Sequence, residues 1–350
     1  MKNEQKYRVI GLMSGTSLDG VDIAYVEFEQ NEKWQFNLGI CDTIPYDEKW
    51  RVELSNLYKQ SEKEIKQTDI KYGLYLGDLA LKFIQINKLQ VDFICSHGHT
   101  IFHKPENKYT LQIGNGQSIA NKSQKTVICD FRSLDISLGG QGAPLVPIGD
   151  QLLFEEYDYC LNLGGFSNVS YQINGIRKAY DICPVNIVLN YLTQQQGQPF
   201  DKNGAIAQTG YLIDSLFAQL NQLTYYKEKG PKSLGKEWVE QYIKPLLKQY
   251  SNIPDLLNTF TEHAAFQMGK NLQNGSCLTT GGGTFNNFLI ERLKHYSKTN
   301  LIIPNKKIIE YKEALIFAFL GVLRLRNEMN CLSSVTGAKS DCSAGVIFTP

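Results

Sequence analysis

Two apolar runs flank a polar tip near the start of the chain. Residues 9–13 are mostly apolar, the tip reads Ser14-Gly15-Thr16-Ser17-Leu18-Asp19-Gly20, and residues 21–26 have the character of a strand. A second strand–tip–strand pattern occupies residues 159–171, with Gly164 and Gly165 at its tip. One such hairpin opens each half of the chain, which predicts a duplicated architecture.

The remaining apolar pattern alternates between helical and strand character. Between the hairpins it predicts one helix and then two short buried strands, residues 91–95 and 126–129. After the second hairpin it predicts two helices, a strand at 277–280, a helix from about Asn286, and an apolar helix over 314–320 that Glu313 opens. The positions that set the helices are Ile70, Leu74, Leu81 and Ile84; Ile206, Ile213, Leu216, Phe217 and Leu220; Leu257, Phe260, Ala264 and Met268; Phe288, Leu289 and Leu293. Strands alternating with helices predict an α/β fold.

A run rich in proline and glycine, residues 138–147, interrupts this pattern. We interpret it as a turn-rich crossover near a domain boundary, and the alternative is a substrate loop. A chain of 350 residues is long enough for two domains of ordinary size. The predicted division is residues 1–140 and residues 141–350.

Composition and charge exclude several classes of partner. The chain has 36 basic and 35 acidic side chains, which removes the electrostatic case for nucleic acid or a membrane surface. The first eight residues lack an apolar core, and no run of about 18 apolar residues occurs. The eight cysteines include no Cys-x-x-Cys pair and are expected to be buried thiols in a reducing cytoplasm.

The first tip has the residue types that hold phosphate. Small residues let backbone N–H groups approach an anion, hydroxyls of Ser14, Thr16 and Ser17 can donate, and carboxylates of Asp19 and Asp22 can face a metal. No Gly-Lys-Ser/Thr follows, so the tip is not a Walker loop. An ordinary hairpin turn capped by aspartate is the alternative.

A triple glycine, Gly281-Gly282-Gly283, lies between a predicted strand and helix. Such a junction is typical of a nucleotide-binding site, although an ordinary tight turn can have the same residues. With phosphates held by the two hairpin tips and the base or ribose near the triple glycine, the three loops together indicate phosphoryl transfer.

The acceptor side requires a carboxylate that takes a proton. Asp181 lies where a strand is expected to end and a helix to begin near Pro184, which suits either a general base or a helix cap. Arg132 can clamp a substrate carboxylate or form a surface ion pair. His97, His99 and His103 invite a metal site, but no matching ligand spacing accompanies them, and hydrogen bonding to a polar substrate is favoured.

The ordered series of these segments resembles the anhydro-N-acetylmuramic acid kinase family. The matching segments are residues 11–22, 96–100, 111–114, 130–132, 139–147, 162–165, 200–205, 231–237, 281–283, 313–314 and 336–338. The resemblance covers nearly the whole chain. It implies two related α/β domains of the actin/hexokinase type (ribonuclease H-like) flanking an interdomain ATP cleft, and a homodimer.

The resemblance also implies a reaction and its residues. The 1,6-anhydro bond of an amino sugar is opened by water while the freed 6-oxygen takes the γ-phosphoryl group of ATP with Mg²⁺. Asp181 matches the general base and Glu313 a carboxylate that orients the water. The ATP loop matches Gly15, Thr16, Ser17, Leu18, Asp19, Gly20, Val21 and Asp22, with Asp19 facing the metal, and the substrate side matches His97, Thr100 and Arg132.

Two departures from the family pattern bear on the substrate. Ile182, Cys183 and Val185 stand where the family has two glycines and a hydroxyl residue beside the base, and His99 replaces a glutamine. These changes motivate two alternatives: a kinase of the same fold acting on another sugar or sugar acid, and a nucleotide-binding homologue with weak catalysis.

Overall fold

The computed structural model describes residues 5–15, 17–228 and 230–350. It is an α/β protein that divides into two compact units, and this confirms the predicted class. The first unit comprises Met1–Leu153 and Tyr311–Pro350, and the second comprises Phe154–Glu310. The chain thus crosses between the units after Leu153 and returns before Tyr311. The predicted ATPase domains, 1–140 and 141–350, remain a prediction.

The first unit is built on one seven-stranded sheet. Its first six strands are β1 Lys6–Ser14, β2 Gly20–Gln30, β3 Trp34–Pro45, β4 Phe93–Lys104, β5 Tyr109–Ile113 and β6 Thr126–Cys129. The helices among and after them are α1 Glu48–Asn56, α2 Glu62–Ile86, α3 Gly116–Ser123, α4 Ser133–Ser137 and α5 Val146–Leu153.

The second unit is built on a five-stranded sheet. Its strands are β7 Tyr159–Leu163, β8 Phe166–Ile173, β9 Ile176–Pro184, β10 Ser276–Thr280 and β11 Asn300–Ile302. Its helices are α6 Asn186–Gln194, α7 Ala205–Thr209, α8 Asp214–Gln222, α9 Lys236–Trp238, α10 Lys244–Leu247, α11 Ile253–Asn271 and α12 Asn287–Tyr296. A short π-helix at Val239–Ile243 joins α9 to α10.

The last elements of the chain are α13 Lys306–Leu325, α14 Ser333–Thr336 and β12 Val346–Phe348. Residues from Tyr311 onward belong to the first unit, and β12 is the seventh strand of its sheet.

The two sheets repeat one strand order. In the first unit the path is β3-β2-β1-β4-β6, extended by β12, with β5 paired to β4; in the second it is β9-β8-β7-β10-β11. Each begins with an antiparallel meander of three strands and continues with two strands parallel to the first strand of that meander. In the first unit β12 and β5 are added antiparallel to β6 and β4. The duplicated architecture predicted from the two hairpins is therefore confirmed.

Helix α2 exists as predicted, but its buried face is not the predicted one. Ile70 and Leu74 are about half exposed, at 48% and 45%. The face toward α3 instead contains Gly73 and Gly77, where an added Cβ would lie 2.6 Å from Asn115 O and 2.7 Å from Lys122 Cβ. Large apolar side chains, among them Tyr72 and Leu76, do line the buried face, and the two glycines beside them allow the close approach of α3.

The predicted start of the apolar helix at Glu313 is wrong. Helix α13 begins at Lys306, and the Asn305 side chain accepts the N–H of Ile308 at its start. Its first turns carry charged residues around the buried Ile308 and Ile309, so the apolar run marks only where the helix becomes buried on all sides. No helix in the part of the chain that the structure describes, α13 included, is long and apolar enough to cross a membrane.

Candidate functional site

The first hairpin tip is held by its own carboxylate. Asp19 Oδ1 accepts a hydrogen bond from Ser17 Oγ at 2.8 Å and another from the N–H of Gly20 at 3.0 Å, and the Asp19 side chain is exposed. Leu18 has a positive φ of 60°, as a sharp tip requires. Thr16, predicted to bind the nucleotide, lies outside the described residues. Gly15, Ser17, Leu18 and Asp19 thus form an accessible tip that has the residue types for an anion.

The residues that follow the tip have different surroundings. Gly20 is buried, and an added Cβ would lie 2.3 Å from Ile44 O on β3. Val21 is fully buried in the core of the first unit, so its side chain is unavailable to a ligand. Asp22 accepts a hydrogen bond from Thr43 Oγ1 at 2.6 Å. The tip itself, rather than β2, offers the open groups.

Ser14 faces inward, contrary to its expected role as a phosphate donor. Its hydroxyl is 3% exposed and lies 2.6 Å from Tyr46 Oη and 2.9 Å from His99 Nδ1, and Tyr46 bonds in turn to Tyr72. Burial lowers the pKa of His99 to about 4 and raises that of Tyr46 to about 12, so both rings are neutral at pH 7. This buried network of hydrogen bonds fixes Ser14, the last residue of β1 before the tip.

His97, inside β4, and Arg132, shortly after β6, form a fixed pair. Arg132 donates from Nη2 to His97 Nε2 at 2.8 Å and from Nη1 to Gly142 O at 2.6 Å. His97 Nδ1 lies 3.0 Å from Gly98 O, so the ring is neutral with its proton on Nδ1; burial, and then the Arg132 charge, lower its pKa. Arg132 thus contacts neutral acceptors rather than forming the surface ion pair that was the alternative.

Thr100 and Glu313 complete the predicted residues of the first unit. Thr100 is half-buried, and its Oγ1 accepts from Gln112 Nε2 at 3.4 Å. Glu313 is exposed to solvent, yet desolvation raises its pKa, and the charges of Arg132 and Lys312 oppose that rise.

Asp181 lies inside β9, opposite Asn168 on β8, and does not cap α6. Its Oδ2 accepts the N–H of Leu234 at 2.8 Å, its own N–H donates to Lys232 O at 3.0 Å, and its carbonyl accepts from Tyr225 Oη at 2.6 Å. Burial raises the pKa of the carboxyl, and the Leu234 N–H opposes that rise. Within the described residues no hydrogen bond reaches Oδ1, which leaves one oxygen free to accept a proton.

The bulky residues after Asp181 do not crowd it. Ile182, Cys183 and Val185 are 2%, 0% and 0% exposed and belong to the core of the second unit. Cys183 is further held by Ser167, whose Oγ lies 3.2 Å from its Sγ. These departures from the family pattern therefore lie in the core packing, whereas Asp181 itself is half-buried.

The second hairpin tip and the triple glycine meet within the second unit. Added Cβ atoms at Gly281 and Gly283 would lie 2.9 Å and 2.8 Å from atoms of Leu163, which directly precedes the tip. Gly282 has nothing within 4 Å of such an atom. The carbonyl groups of Gly164 and Gly165 accept the N–H groups of Asn186 and Val185, at 3.3 Å and 2.8 Å. The arrangement leaves an open glycine surface next to a helix start.

Several partners of these residues were beyond sequence reasoning. Tyr46 follows β3 without any motif, and Tyr225 lies 44 positions from the carbonyl that it contacts. Leu234 had a signal, because residues 231–237 belong to the resembling segments, but nothing in the pattern assigned its N–H to Asp181.

Comparison with known proteins identifies relatives over the full chain. Residues 7–350 match the family model described as AnmK, anhydro-N-acetylmuramic acid kinase. The anhydro-N-acetylmuramic acid kinase of Mannheimia succiniciproducens is 34% identical over 98% of this chain and 99% of its own length. That of Sulfurimonas denitrificans is 30% identical over 97% and 98%.

Solved structures with a partial likeness are more distant. The activator of a 2-hydroxyisocaproyl-CoA dehydratase from Clostridium difficile, with bound ADPNP, aligns over 89% of this chain and 92% of its own, with 13% identity and a TM-score of 0.43. A ROK family glucokinase from Streptomyces griseus, with glucose and AMPPNP, aligns over 89% and 98%, with 9% identity and a TM-score of 0.39.

Proposed function

Because this chain belongs to the anhydro-N-acetylmuramic acid kinase family, we propose that it uses ATP to convert 1,6-anhydro-N-acetylmuramic acid to N-acetylmuramic acid 6-phosphate. Asp181 carries the proposal, since it combines a half-buried carboxylate, one oxygen fixed by the Leu234 N–H, and a second oxygen free of bonds within the described chain. A general base needs both a fixed orientation and an open acceptor.

Asp181 acts on water in the proposed reaction. Its open oxygen takes a proton from the water, whose oxygen bonds to the anomeric carbon as the bond from that carbon to the 6-oxygen breaks. Opening an acetal passes through oxocarbenium character, so an aimed water is needed at that carbon. The freed 6-oxygen bonds to the γ-phosphorus of ATP. The bond from that phosphorus to the oxygen bridging it to the β-phosphorus breaks, and ADP leaves with its electron pair.

The predicted residues of the first unit serve the sugar and the water. Glu313 orients the water, and its solvent exposure leaves the carboxylate accessible to it. Arg132 has N–H groups beyond those donated to His97 and Gly142, and they recognise the carboxylate of the muramic acid. His97 holds Arg132 in place, and Thr100 offers a hydroxyl to the sugar.

The glycine-rich segments suit ATP. Gly164, Gly165 and the open Gly282 provide a surface without side chains, and Gly15 to Asp19 provide an accessible tip. Asp19 suits Mg²⁺ because its carboxylate is exposed and supplies hard oxygen ligands. Magnesium, when bound, neutralises charge that develops on the phosphoryl oxygens.

The proposal extends to assembly and location. The family resemblance favours a homodimer, which light scattering coupled to size-exclusion chromatography measures directly. It also favours a cytoplasmic enzyme acting on a sugar recovered from the cell wall.

A panel of acceptors tests the proposed substrate. ADP release is followed with 1,6-anhydro-N-acetylmuramic acid, N-acetylmuramic acid, N-acetylglucosamine and glucose. We expect the anhydro sugar to have the highest kcat/KM by more than about 100-fold. N-acetylglucosamine and glucose lack the carboxylate that Arg132 recognises, and N-acetylmuramic acid has no anhydro bond for the water to open. Equal rates, or a preference for glucose, would contradict the proposal in favour of a different sugar kinase.

A further inference from the structure

Cys331 and Cys342 face each other across a short antiparallel bridge in the returning part of the first unit. The N–H of each donates to the carbonyl of the other, at 3.1 Å in both directions. Residues of an antiparallel pair that exchange both backbone hydrogen bonds have Cα atoms about 5.5 Å apart, and this distance is within the range that a disulfide spans. Both thiols are free and buried.

The carboxylate of Asp135 completes this cluster. One ligand atom from each of Asp135, Cys331 and Cys342 lies within 4.8 Å of the others. Cys331 Sγ donates to Asp135 Oδ1 at 3.2 Å. The same carboxylate accepts Thr336 Oγ1 at 2.7 Å and the N–H of Gly142 at 2.7 Å.

These bonds favour a disulfide over a metal site. Each oxygen of Asp135 already accepts a hydrogen bond, so a metal would displace Thr336 or Gly142. A structural zinc also needs four ligands, and the cluster of metal-ligating side chains found in the described residues has three. A disulfide needs only the two sulfur atoms that already face each other.

We propose that Cys331 and Cys342 form a reversible disulfide by exchange with a small disulfide. Cys342 is the more exposed of the two residues, at 6% against 1% for Cys331, and attacks first. Its thiolate bonds to one sulfur of the small disulfide and releases one small thiol. Cys331 then attacks Cys342 Sγ and displaces the second small thiolate, which takes the Cys331 proton by way of Asp135 or water and leaves as a thiol. Two protein thiols are oxidised and one small disulfide is reduced.

The modification acts on a connected part of the fold. The bond closes the loop over residues 332–341, which includes Thr336, and removes the S–H donor that Asp135 accepts. Asp135 holds the N–H of Gly142, whose carbonyl accepts from Arg132. The redox state of the pair is thereby linked to the loop that positions Arg132.

Thiol counting on the full chain tests the proposal. The folded protein is incubated with oxidised glutathione, and free thiols are then counted after denaturation alongside intact mass and peptide mapping. We expect the loss of two of the eight thiols, a mass lower by about 2 Da, and a peptide joining Cys331 to Cys342. Dithiothreitol should restore all eight.

Two variants provide the controls. Cys129→Ala removes another buried thiol and should still lose two thiols, whereas Cys342→Ser should lose none. The wild-type peptide map decides the matter even if a variant folds poorly. A stable glutathione adduct without a joined peptide, a bond between other cysteines, or zinc retained by the purified protein that prevents oxidation would overturn the proposal.

Discussion

At the scale of single residues, Asp181 combines two opposing influences. Burial raises the pKa of its carboxyl, which strengthens it as a base, and the N–H of Leu234 opposes the rise and fixes one oxygen. The result is a carboxyl group with one oxygen oriented by a backbone N–H and the other open. This environment suits proton abstraction from water better than it suits a structural role.

Replacing the base separates chemistry from binding. Asp181→Asn keeps the shape but cannot take a proton, so kcat should fall about 10²- to 10⁴-fold while the affinity for ATP stays within about twofold. Stopped-flow turnover and calorimetric titration measure the two quantities. Asp214→Asn, at an exposed position of the same unit, is the matched control and should retain wild-type kcat. Wild-type turnover in Asp181→Asn would remove this residue from the mechanism.

The buried His99 makes stability depend on pH. Its folded pKa of about 4 lies below the ordinary value, so the unfolded chain binds the proton more readily. Its contribution is therefore complete above about pH 6.5 and is lost as the pH falls toward about 4, amounting to at most about 3 kcal/mol.

Comparison with His99→Gln isolates that contribution. Urea unfolding of both proteins at pH 7 and pH 4.5 should give a smaller loss of stability for the variant, because it lacks the proton-binding ring. His97 and His263, whose pKa values are also lowered by burial, are common to both proteins and cancel in the comparison. Parallel losses in the two proteins would show that His99 is not held neutral.

Among the helices and strands, residue spacing predicts the features that depend on local sequence and misses those that depend on contacts between elements. The two hairpins, the triple-glycine junction and the core stripe of α11 follow from residue spacing, and the structure has them. The buried face of α2 does not follow from residue spacing. Gly73 and Gly77 face α3, and spacing along one helix does not encode a contact with another. The start of α13 was missed because charged residues form a helix as readily as apolar ones.

The triple glycine offers two neighbouring substitutions with opposite expectations. Gly282→Ala adds a methyl group into open space, so the free energy of unfolding should change by less than about 0.5 kcal/mol while the KM for ATP rises. In Gly281→Ala the added Cβ would lie 2.5 Å from Asn162 Oδ1, at a residue whose φ of 84° disfavours any side chain. This variant should be less stable by about 1–3 kcal/mol. An unchanged KM in Gly282→Ala would place the nucleotide elsewhere.

Helix α13 packs onto the first sheet through glycine. An added Cβ at Gly321 would lie 2.0 Å from Cys95 Sγ on β4, so Gly321→Ala should lower the free energy of unfolding by about 1–3 kcal/mol. Cys95→Ala removes the obstructing sulfur, and the double variant should recover at least about 1 kcal/mol relative to additivity. Strict additivity in a urea-unfolding cycle would mean that the two positions do not touch.

At the scale of the whole molecule, the chain repeats one sheet order in two units and returns to the first unit with α13. Two hairpin signals were enough to predict the repeat. The return was not predictable, since the pairing of β12 with β6 joins residues more than 200 positions apart. Asp181 lies in the second unit and Glu313 in the first.

The proposed reaction couples water attack to phosphoryl transfer, and one product analysis tests this coupling. The protein is incubated with ATP, Mg²⁺ and 1,6-anhydro-N-acetylmuramic acid in ¹⁸O-labelled water, and the sugar product is analysed by mass spectrometry. We predict a single product with ¹⁸O at the anomeric carbon and phosphate on the 6-oxygen. Phosphorylated sugar without the label, or labelled sugar without phosphate, would contradict the account.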